Sequence, residues 1–431
     1  MDETLEAGKY VIVQRQKYTK VYKLQKNGIL ALGNRRIEMS NVIGHRYFDT
    51  FKIVLSPDKK NLYTLEKTEN VTSASELDIE ESGEDNRNIT DDRSSQALSK
   101  EDIDKLRDEA LGSSEMIEKL ITNSKSFKLK TKMSQEKYIS KKEKKYFEYI
   151  QIRKPTIRLL AETYYRLDPS KVLGVRIDDL SQILTYSNVQ SDGNFLLYDS
   201  GTSGLISAAI MNAIGANTTG KLVHAHPGNE CQKAAFLAMN FPKEQVERCI
   251  NVNLYSVLRW YYQGDVQKND ESKDETEVNN QTKEEQPTVV ETSKDEENEA
   301  PKGIKRTHND QENSTSGPSA KRPCWHFDNQ KACEILKDKI DALIIVAKEH
   351  PESIVEELVQ FLNPSRALVV FSMISEPLED LYVYLKKRSD FVNIRVTNNF
   401  MRYYQVLPER THPEITMNFG GYLLSATKIK F

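Results

Sequence analysis

The sequence has few cysteines and no long apolar run. Its four cysteines, Cys231, Cys249, Cys324 and Cys333, form no CxxC pair, which argues against a disulfide framework and favours a reducing compartment. No apolar run approaches the length that crosses a bilayer, and the first nine residues carry acids where a secretory signal carries basic residues. We therefore expect neither secretion nor a membrane partner.

The residue patterns of common catalytic and metal sites are also absent. His224, His226, His350 and His412 have no paired spacing with one another or with the cysteines, so no metal site is predicted. Ser203 does not lie in a GxSxG elbow, and spacing supports no Ser-His-Asp arrangement. The sequence therefore contains no recognisable hydrolase or zinc motif.

The 431 residues carry a formal charge of −3, and 29% of them are charged. Residues 264–325 contain almost no aliphatic side chains and are rich in acids, so they cannot bury enough apolar surface to offset backbone entropy. We predict a disordered acidic insertion there. The pairs Lys305-Arg306 and Lys321-Arg322 within it match a bipartite nuclear signal, although such pairs also arise by chance.

Residues 1–90 are predicted to form a small β-barrel or curled sheet. Short β-branched and aromatic runs are separated by Asn-Gly and Gly-Asn turns. These runs are Tyr10–Val13, Val21–Leu24, Ile29–Leu32 and Phe51–Leu55.

Residues 91–154 are predicted to form a helical and basic linker that binds RNA. Helical spacing starts near Ser99 and breaks at Gly112, and a lysine-rich run with interleaved aromatics follows. A merely solvated helical face is the alternative, but such a face normally carries more acids. The candidate RNA-binding residues of this segment are Lys128, Lys130, Lys132, Lys137, Lys141, Lys142, Lys144, Lys145, Arg153 and Lys154.

Residues 155–431 alternate strand and helix patterns, which predicts a Rossmann-like domain with a mostly parallel sheet. A capping-box pattern at Ser353–Glu356 predicts a helix start. The predicted strands are Phe195–Tyr198, Leu222–Ala225, Cys249–Val252, Ala342–Val346, Ala367–Phe371, Phe391–Val396 and Gly421–Ala426. The whole chain is thus predicted to combine a β domain with an α/β domain.

Four separated segments, 41–45, 85–88, 135–142 and 404–413, resemble the non-catalytic subunit family of the eukaryotic tRNA 1-methyladenosine-58 methyltransferase. The resemblance implies an N-terminal β-barrel and a C-terminal methyltransferase-like fold. It also implies pairing with a paralogous catalytic subunit in a heterotetramer of two plus two, which modifies the T-loop of tRNA in the nucleus.

The resemblance places a degenerate cofactor site after the first strand of the α/β domain. Active relatives carry E-x-G-x-G-x-G where this chain has residues 198–204, and His226 stands where a carboxylate holds the ribose. No Asp occupies residues 347–351, where active relatives carry a catalytic Asp. We expect no cofactor and no catalytic residue in this chain, and S-adenosylmethionine in the partner subunit. The vestigial site consists of Ser200, Gly201, Thr202, Gly204 and His226.

Two alternative functions remain open from the sequence. The chain is itself an active RNA methyltransferase if Asp199 serves as the acid and Gly201 restores a shifted loop. It is otherwise an assembly or translation-linked scaffold without RNA contact. Four further basic residues are candidates for RNA contact, with scattered surface charge as the alternative: Arg15, Lys20, Arg402 and Arg410.

Overall fold

The computed structural model describes the chain in ten ranges. These are residues 3–56, 62–69, 71, 82–87, 89, 95–108, 113–264, 324–406, 411–414 and 420–430. Within them, no helix combines the length and the apolar character needed to span a membrane. The described residues form an N-terminal sheet, a cluster of three helices and a larger α/β unit.

The N-terminal sheet has seven strands in the order β2-β1-β7-β5-β6-β4-β3. Alternate side chains such as Val11, Val13 and Phe51 are fully buried in its core. The four predicted strands are confirmed with small shifts of their ends. No pairing joins the outer strands β2 and β3 among the described residues, so closure into a barrel stays a prediction. The strands are β1 (Tyr10–Arg15), β2 (Tyr18–Lys23), β3 (Ile29–Leu32), β4 (Arg35–Glu38), β5 (Thr50–Leu55), β6 (Leu62–Thr68) and β7 (Tyr149–Arg153).

Strand β7 joins this sheet although the sequence analysis placed its residues in the basic linker. It lies antiparallel between β1 and β5. Ile150 and Ile152 alternate along it and are buried in the same core as Val13. The N-terminal sheet therefore includes residues well beyond 90. The apolar residues of β7 alternate with a period of two, as in a strand with one buried face, although they directly follow the lysine-rich run.

The linker forms three helices: α1 (Lys100–Asp108), α2 (Ser113–Thr122) and α3 (Lys132–Tyr146). The predicted start of α1 is confirmed, since the Asp102 N–H donates to Ser99 Oγ (3.1 Å) and the Ser99 N–H to Asp102 Oδ2 (3.2 Å). The predicted break at Gly112 lies outside the described residues. Ile117, Leu120 and Ile139 pack into a small core that joins α2 to α3.

The α/β unit contains a seven-stranded sheet in the order β10-β9-β8-β11-β12-β16-β13. Among the described strands of this sheet, β16 runs opposite to the other six, so its pairings with β12 and β13 are antiparallel and the remaining pairings are parallel. This order confirms the predicted Rossmann-like sheet. The strands are β8 (Asn194–Asp199), β9 (Lys221–His226), β10 (Cys249–Asn253), β11 (Ile340–Val346), β12 (Leu362–Ser372), β13 (Phe391–Asn398) and β16 (Tyr422–Lys428); β14 (Tyr404–Gln405) and β15 (His412–Pro413) form a separate pair.

Helices cover both faces of this sheet. Along β8, Phe195 and Leu197 enter a core shared with α4 to α7, whereas Leu196 and Tyr198 enter a core shared with α9 to α12. The helices are α4 (Ile157–Leu167), α5 (Ile177–Tyr186), α6 (Leu205–Ile214), α7 (Ala234–Ala238), α8 (Lys243–Glu247), α9 (Leu254–Gln263), α10 (Cys324–Lys337), α11 (Pro351–Leu358) and α12 (Glu376–Lys387). Both faces of β8 are therefore buried, as a central parallel strand requires.

Two expectations for this unit are corrected, and four of its helices were not predicted. Helix α11 begins at Pro351, and its N-cap residue His350 makes no side-chain cap, so the predicted capping box at residues 353–356 is wrong. Helix α10 begins at Cys324, so the acidic insertion ends before residue 325; residues 265–323 lie outside the described residues. Helices α5, α8, α9 and α10 were not predicted from the sequence.

Candidate functional site

The loop between β8 and α6, residues 200–204, occupies the position where open α/β sheets bind ligands. The chain proceeds from β8 through β9 to β10 on one side and returns to β11 on the other side of β8. The loop thus lies at the carboxyl end of β8, at a topological switch point. Four of the five residues of the predicted vestigial cofactor site, Ser200, Gly201, Thr202 and Gly204, belong to this loop.

The backbone amides of this loop are already used within the chain. The Ser200 N–H donates to the Val346 carbonyl (3.2 Å), and the Gly201 and Thr202 N–H groups donate to Asp199 Oδ1 (2.8 Å each). The Ser203 N–H donates to Gln232 Oε1 (3.3 Å). In dinucleotide-binding and phosphate-binding loops, such amides point at the ligand. Residues 200–203 therefore offer no free amide to a cofactor.

The space in front of the loop is filled by residues 231–233. Gly204 has a left-handed φ of 76°, and a Cβ at this position would lie 2.8 Å from the Gln232 carbonyl oxygen. The Ala235 N–H donates to the Ser203 carbonyl at 2.9 Å. The single glycine retained from the cofactor pattern thus accommodates the protein's own backbone rather than a bound ligand.

Asp199 is a buried structural carboxylate, with 4% of its surface exposed. It accepts the two loop amides and a short bond from the Thr202 hydroxyl, and it faces His224 Nε2 at 3.5 Å. Although burial alone raises the pKa of a carboxyl group, the bonds from His224 and Thr202 hold the pKa of Asp199 below its usual value. The carboxylate is therefore buried and engaged by groups of this chain.

His224 and its neighbours form a buried polar cluster beneath the loop. His224 Nδ1 lies 3.1 Å from Asn251 Oδ1 and 3.4 Å from Cys231 Sγ. Burial alone lowers the pKa of a histidine, but Asp199 and Cys231 more than offset this and raise the pKa of His224 to about 10. His224 is therefore an imidazolium at neutral pH.

A cleft of about 510 Å³ opens at the ends of β9 and β10. His226 lines it at the position of the predicted ribose-binding residue, and burial, followed by the charge on His224, lowers its pKa. The lining residues are His226, Asn229, Cys231, Lys233, Asn251, Val252, Asn253, Tyr255, Ser256, Trp325 and Asn329, none of which is a carboxylate. A neutral histidine cannot accept bonds from both ribose hydroxyls. The residues present do not fit S-adenosylmethionine.

The segment after β11, residues 347–351, contains no Asp, and its one carboxylate is that of Glu349. The Lys348 N–H donates to Ser200 Oγ at 2.7 Å, which ties this segment to the loop. Burial, together with the charge and hydrogen bond of Glu349, raises the pKa of Tyr198 to about 12. The first contact ties the segment to the loop, and the second engages the Glu349 carboxylate with the Tyr198 hydroxyl on β8.

Helix α3 concentrates lysines on an exposed surface. Lys132, Lys137, Lys141, Lys144 and Lys145 are exposed on it, and Lys128 is exposed just before it. The ammonium groups of Lys130 and Lys142 lie 5.0 and 5.2 Å from the centre of the Tyr138 ring. Burial, followed by the charges of Lys145, Lys141 and Lys130, lowers the pKa of Lys142. This crowding of like charge favours an anionic partner.

Other predicted contact residues have partners within the chain. The guanidinium of Arg15 donates to the carbonyls of Phe147 and Lys145, at the end of α3. The other partners are the Ala31 carbonyl for Lys20, Gln14 Oε1 for Arg153, Glu3 for Lys154 and the Phe400 ring for Arg402. Arg410 lies outside the described residues. The predicted set is therefore not one contiguous patch of unpaired charge.

The residues that close the loop were missed by the sequence analysis. Gln232 belongs to no motif, and nothing in its neighbourhood of polar residues marks it as a partner of Ser203. Cys231 and Asn251 were likewise not connected to His224, because their contact depends on adjacent parallel strands. No group of His, Cys, Asp and Glu side chains in the described ranges is arranged to hold a metal ion.

Comparison with known proteins gives consistent matches over most of the chain. The model of the Gcd10p family matches residues 4–359. The protein named tRNA (adenine(58)-N(1))-methyltransferase non-catalytic subunit TRM6 of Mus musculus is 31% identical over 98% of this chain and 88% of its own length. Its namesake in Dictyostelium discoideum is 30% identical over 95% of this chain and 76% of its own length.

Solved structures also match over the whole chain, with low sequence identity. A SAM-dependent O-methyltransferase from Thermotoga maritima has a TM-score of 0.47 and 12% identity, with 99% of this chain and 96% of that chain covered. The tRNA (m1A58) methyltransferase TrmI from Aquifex aeolicus has a TM-score of 0.44 and 11% identity, with all of both chains covered.

Proposed function

This chain belongs to the Gcd10p family, and from that premise we propose that it is the non-catalytic subunit of a tRNA (adenine-58-N1)-methyltransferase. A paralogous catalytic subunit binds S-adenosylmethionine and methylates adenine 58 in the T-loop. This chain binds no cofactor and contributes to holding the tRNA. Two copies of each subunit form a heterotetramer that acts in the nucleus.

The closed loop after β8 is the observation that supports a non-catalytic role. Its amides bond to Asp199 and Gln232, and residues 231–233 fill the space in front of Gly204. Binding a methyl donor there requires breaking these bonds and moving buried groups, and each unsatisfied buried polar group costs about 1–3 kcal/mol. The alternative in which Asp199 acts as the cofactor acid is disfavoured, because its carboxylate is buried and already bonded.

Separate and combined assays of the two subunits test this role. We expect the purified chain alone to bind no S-adenosylmethionine in calorimetry and to transfer no methyl group. The catalytic paralogue with this chain should methylate tRNA, and the paralogue alone should be much slower. Methyl transfer by this chain alone refutes the proposal, and calorimetry of the mixture checks that the donor used is intact.

The basic surface of α3 supports the proposal of tRNA contact. Lysines that neutralise phosphates release counterions, which gives affinity with little sequence selection. Tyr138 lies between Lys130 and Lys142 and holds both ammonium groups close to its ring. A folded RNA presents phosphates at many positions, so an exposed helix with lysines on several turns suits it.

Charge reversal tests the RNA surface. The variant with Lys141, Lys144 and Lys145 changed to Glu should bind tRNA at least about tenfold more weakly in moderate salt, and the slope of log K against log salt should flatten by about 2. The matched control changes three exposed lysines elsewhere, Lys243, Lys337 and Lys387, to Glu, with the same change in net charge. If both variants bind tRNA like the unmodified complex, the scaffold alternative without RNA contact is favoured.

The assembly and the location have their own tests. Light scattering of the co-expressed subunits should give the mass of two copies of each, and a mass of one plus one contradicts the heterotetramer. Lys305 and Arg306 lie outside the described residues, so their role as a nuclear signal rests on sequence alone. Replacing both basic pairs of residues 305–306 and 321–322 by Ala in a fluorescent fusion should retain the protein in the cytoplasm.

A further inference from the structure

Three chemically active side chains form a continuous line from the buried loop to the cleft. Asp199 Oδ2 lies 3.5 Å from His224 Nε2, and His224 Nδ1 lies 3.4 Å from Cys231 Sγ. Asp199 and His224 are buried, whereas Cys231 is partly exposed and lines the cleft. The line thus joins a sequestered carboxylate to an accessible sulfur atom.

The contacts of the His224 ring favour one arrangement of its protons. Because His224 Nε2 faces the Asp199 carboxylate, Nε2 carries a proton and Nδ1 faces the sulfur. A second proton on Nδ1 makes an imidazolium that is stabilised on one side by Asp199 and on the other by Asn251 Oδ1, 3.1 Å away. The Cys231 thiol lies within donating distance of Asn251 Oδ1 (3.2 Å) and of His224 Nδ1 (3.4 Å), and transfer of its proton to Nδ1 leaves a thiolate beside the imidazolium. A histidinium next to a cysteine favours the thiolate form, which is the nucleophile.

The cleft determines which reagents reach the sulfur. Its lining includes Lys233 and no carboxylate, and Tyr255 and Trp325 expose most of their rings at it. A volume of about 510 Å³ admits a small molecule. The positive charge of Lys233 near the sulfur attracts anions, and no carboxylate in the lining repels them.

We propose that Cys231 is a reactive thiol that exchanges with anionic low-molecular-weight disulfides entering this cleft. The Cys231 thiolate attacks one sulfur of the disulfide, a new S–S bond forms as the old one breaks, and the leaving thiolate takes a proton from water. The external disulfide is the oxidant, and its second half leaves as the reduced thiol. This modification site does not depend on the tRNA-related function.

Modification at Cys231 has a structural consequence in the loop. The adjacent Gln232 accepts the Ser203 N–H, and its carbonyl packs against Gly204. An adduct on Cys231 removes the sulfur from its contacts with His224 and Asn251. The adduct is therefore expected to loosen residues 231–233 over the loop.

The pH dependence of this thiol depends on every charged or titratable group that faces it. These are Asp199 on β8, His224 and His226 on β9, Lys233 after the cysteine and Cys249 on β10. Burial raises the pKa of the Cys249 thiol far above its ordinary value, and burial raises the pKa of Cys333 to about 11. Both buried cysteines therefore serve as internal controls that stay protonated.

The first experiment measures alkylation of the full chain by iodoacetamide across pH, with peptide mapping to assign each cysteine. Because His224 contacts the sulfur, we expect Cys231 to react faster at pH 6.5 than a small free thiol does at the same pH. Cys249 and Cys333 should remain unmodified in the native protein. A rate at pH 6.5 no higher than that of the free thiol, or reaction at Cys324 in place of Cys231, overturns the proposal.

A variant separates activation by His224 from simple exposure. His224→Gln should lower the rate at pH 6.5 about tenfold and leave the rate at pH 9.5 within about twofold, since the thiol then ionises without help. Equal rates of the two proteins at pH 6.5 refute the role of His224. If the variant does not fold, the comparison with the free thiol at pH 6.5 still separates the two, since exposure alone cannot make Cys231 react faster than a free thiol.

The second experiment tests the preference for anions. Oxidised glutathione should modify Cys231 several-fold faster than the neutral hydroxyethyl disulfide, after correction for their intrinsic rates with a free thiol. Lys233→Gln should remove most of that advantage without changing the rate with the neutral reagent. No advantage in the unmodified chain contradicts the anionic part of the proposal.

Discussion

Replacing Asp199 by asparagine distinguishes a structural carboxylate from a cofactor-binding acid. The amide keeps an oxygen that can accept the Gly201 and Thr202 N–H groups, so the loss is concentrated on the charge opposite His224. Removing one partner of a buried ion pair typically costs about 3–5 kcal/mol. Because the pair here is 3.5 Å apart and Asn251 also supports His224, we expect a loss of about 3 kcal/mol in the free energy of unfolding.

Chemical denaturation of the full chain measures this loss, with Asp338→Asn as the control. Asp338 is exposed in the turn after α10, so its variant should stay within about 0.5 kcal/mol of the unmodified chain. At a temperature where Asp199→Asn is still folded, tRNA methylation by the complex should be unchanged. Lost methylation with full stability would falsify the structural assignment and restore Asp199 as the acid of an active site.

Three further predictions address the loop, the end of α3 and pH. Gly204→Ala should lower the free energy of unfolding by about 1–3 kcal/mol, because Gly204 has a positive φ and the added Cβ would touch the Gln232 carbonyl. Gly228→Ala is the control, and it should have little effect in the same denaturation assay because the space around Gly228 is open. Arg15→Ala should destabilise the chain by about 1–3 kcal/mol and speed hydrogen exchange at the end of α3, and Lys17→Ala, an exposed neighbour, should do neither. The pKa of His224 is raised to about 10 in the folded chain. Its contribution to the free energy of unfolding is therefore complete below about pH 6.5 and is lost as the pH rises towards 10. Denaturation at a series of pH values should show this decline, and His224→Gln should make the decline smaller.

The sequence was a good guide where one local signal decides the structure. Apolar runs such as residues 342–346 predicted buried parallel strands, and the Ser99 pattern predicted the start of α1, because these signals need no distant partner. The family resemblance carried by four separated motifs is confirmed by the family model and by relatives that match nearly the whole chain. Part of that resemblance has a structural basis, since Asn86 bonds to Thr131 and Ser134 at the start of α3.

Other features depend on contacts that no local pattern contains. The loss of glycines after β8 predicted a degenerate loop, but not that Gln232 bonds to it or that Asp199 turns inward. Helix α10 was missed because its first turn follows directly after the acidic insertion, and its burial comes from packing against α9 and β10. Strand β7 was missed because the alternation over only five residues is weaker than the neighbouring charge.

The position of β7 also affects the order in which a nascent chain can fold. Before residues 149–153 leave the ribosome, the strand pairing that joins β1–β2 to β3–β6 is missing, and β1 and β5 each have an unpaired edge where β7 will enter. The basic helix α3 directly precedes β7, and Arg15 on β1 bonds to the carbonyls at its end. Completion of the first sheet and anchoring of the lysine-rich helix are therefore one event, so a finished N-terminal sheet always carries its positive surface.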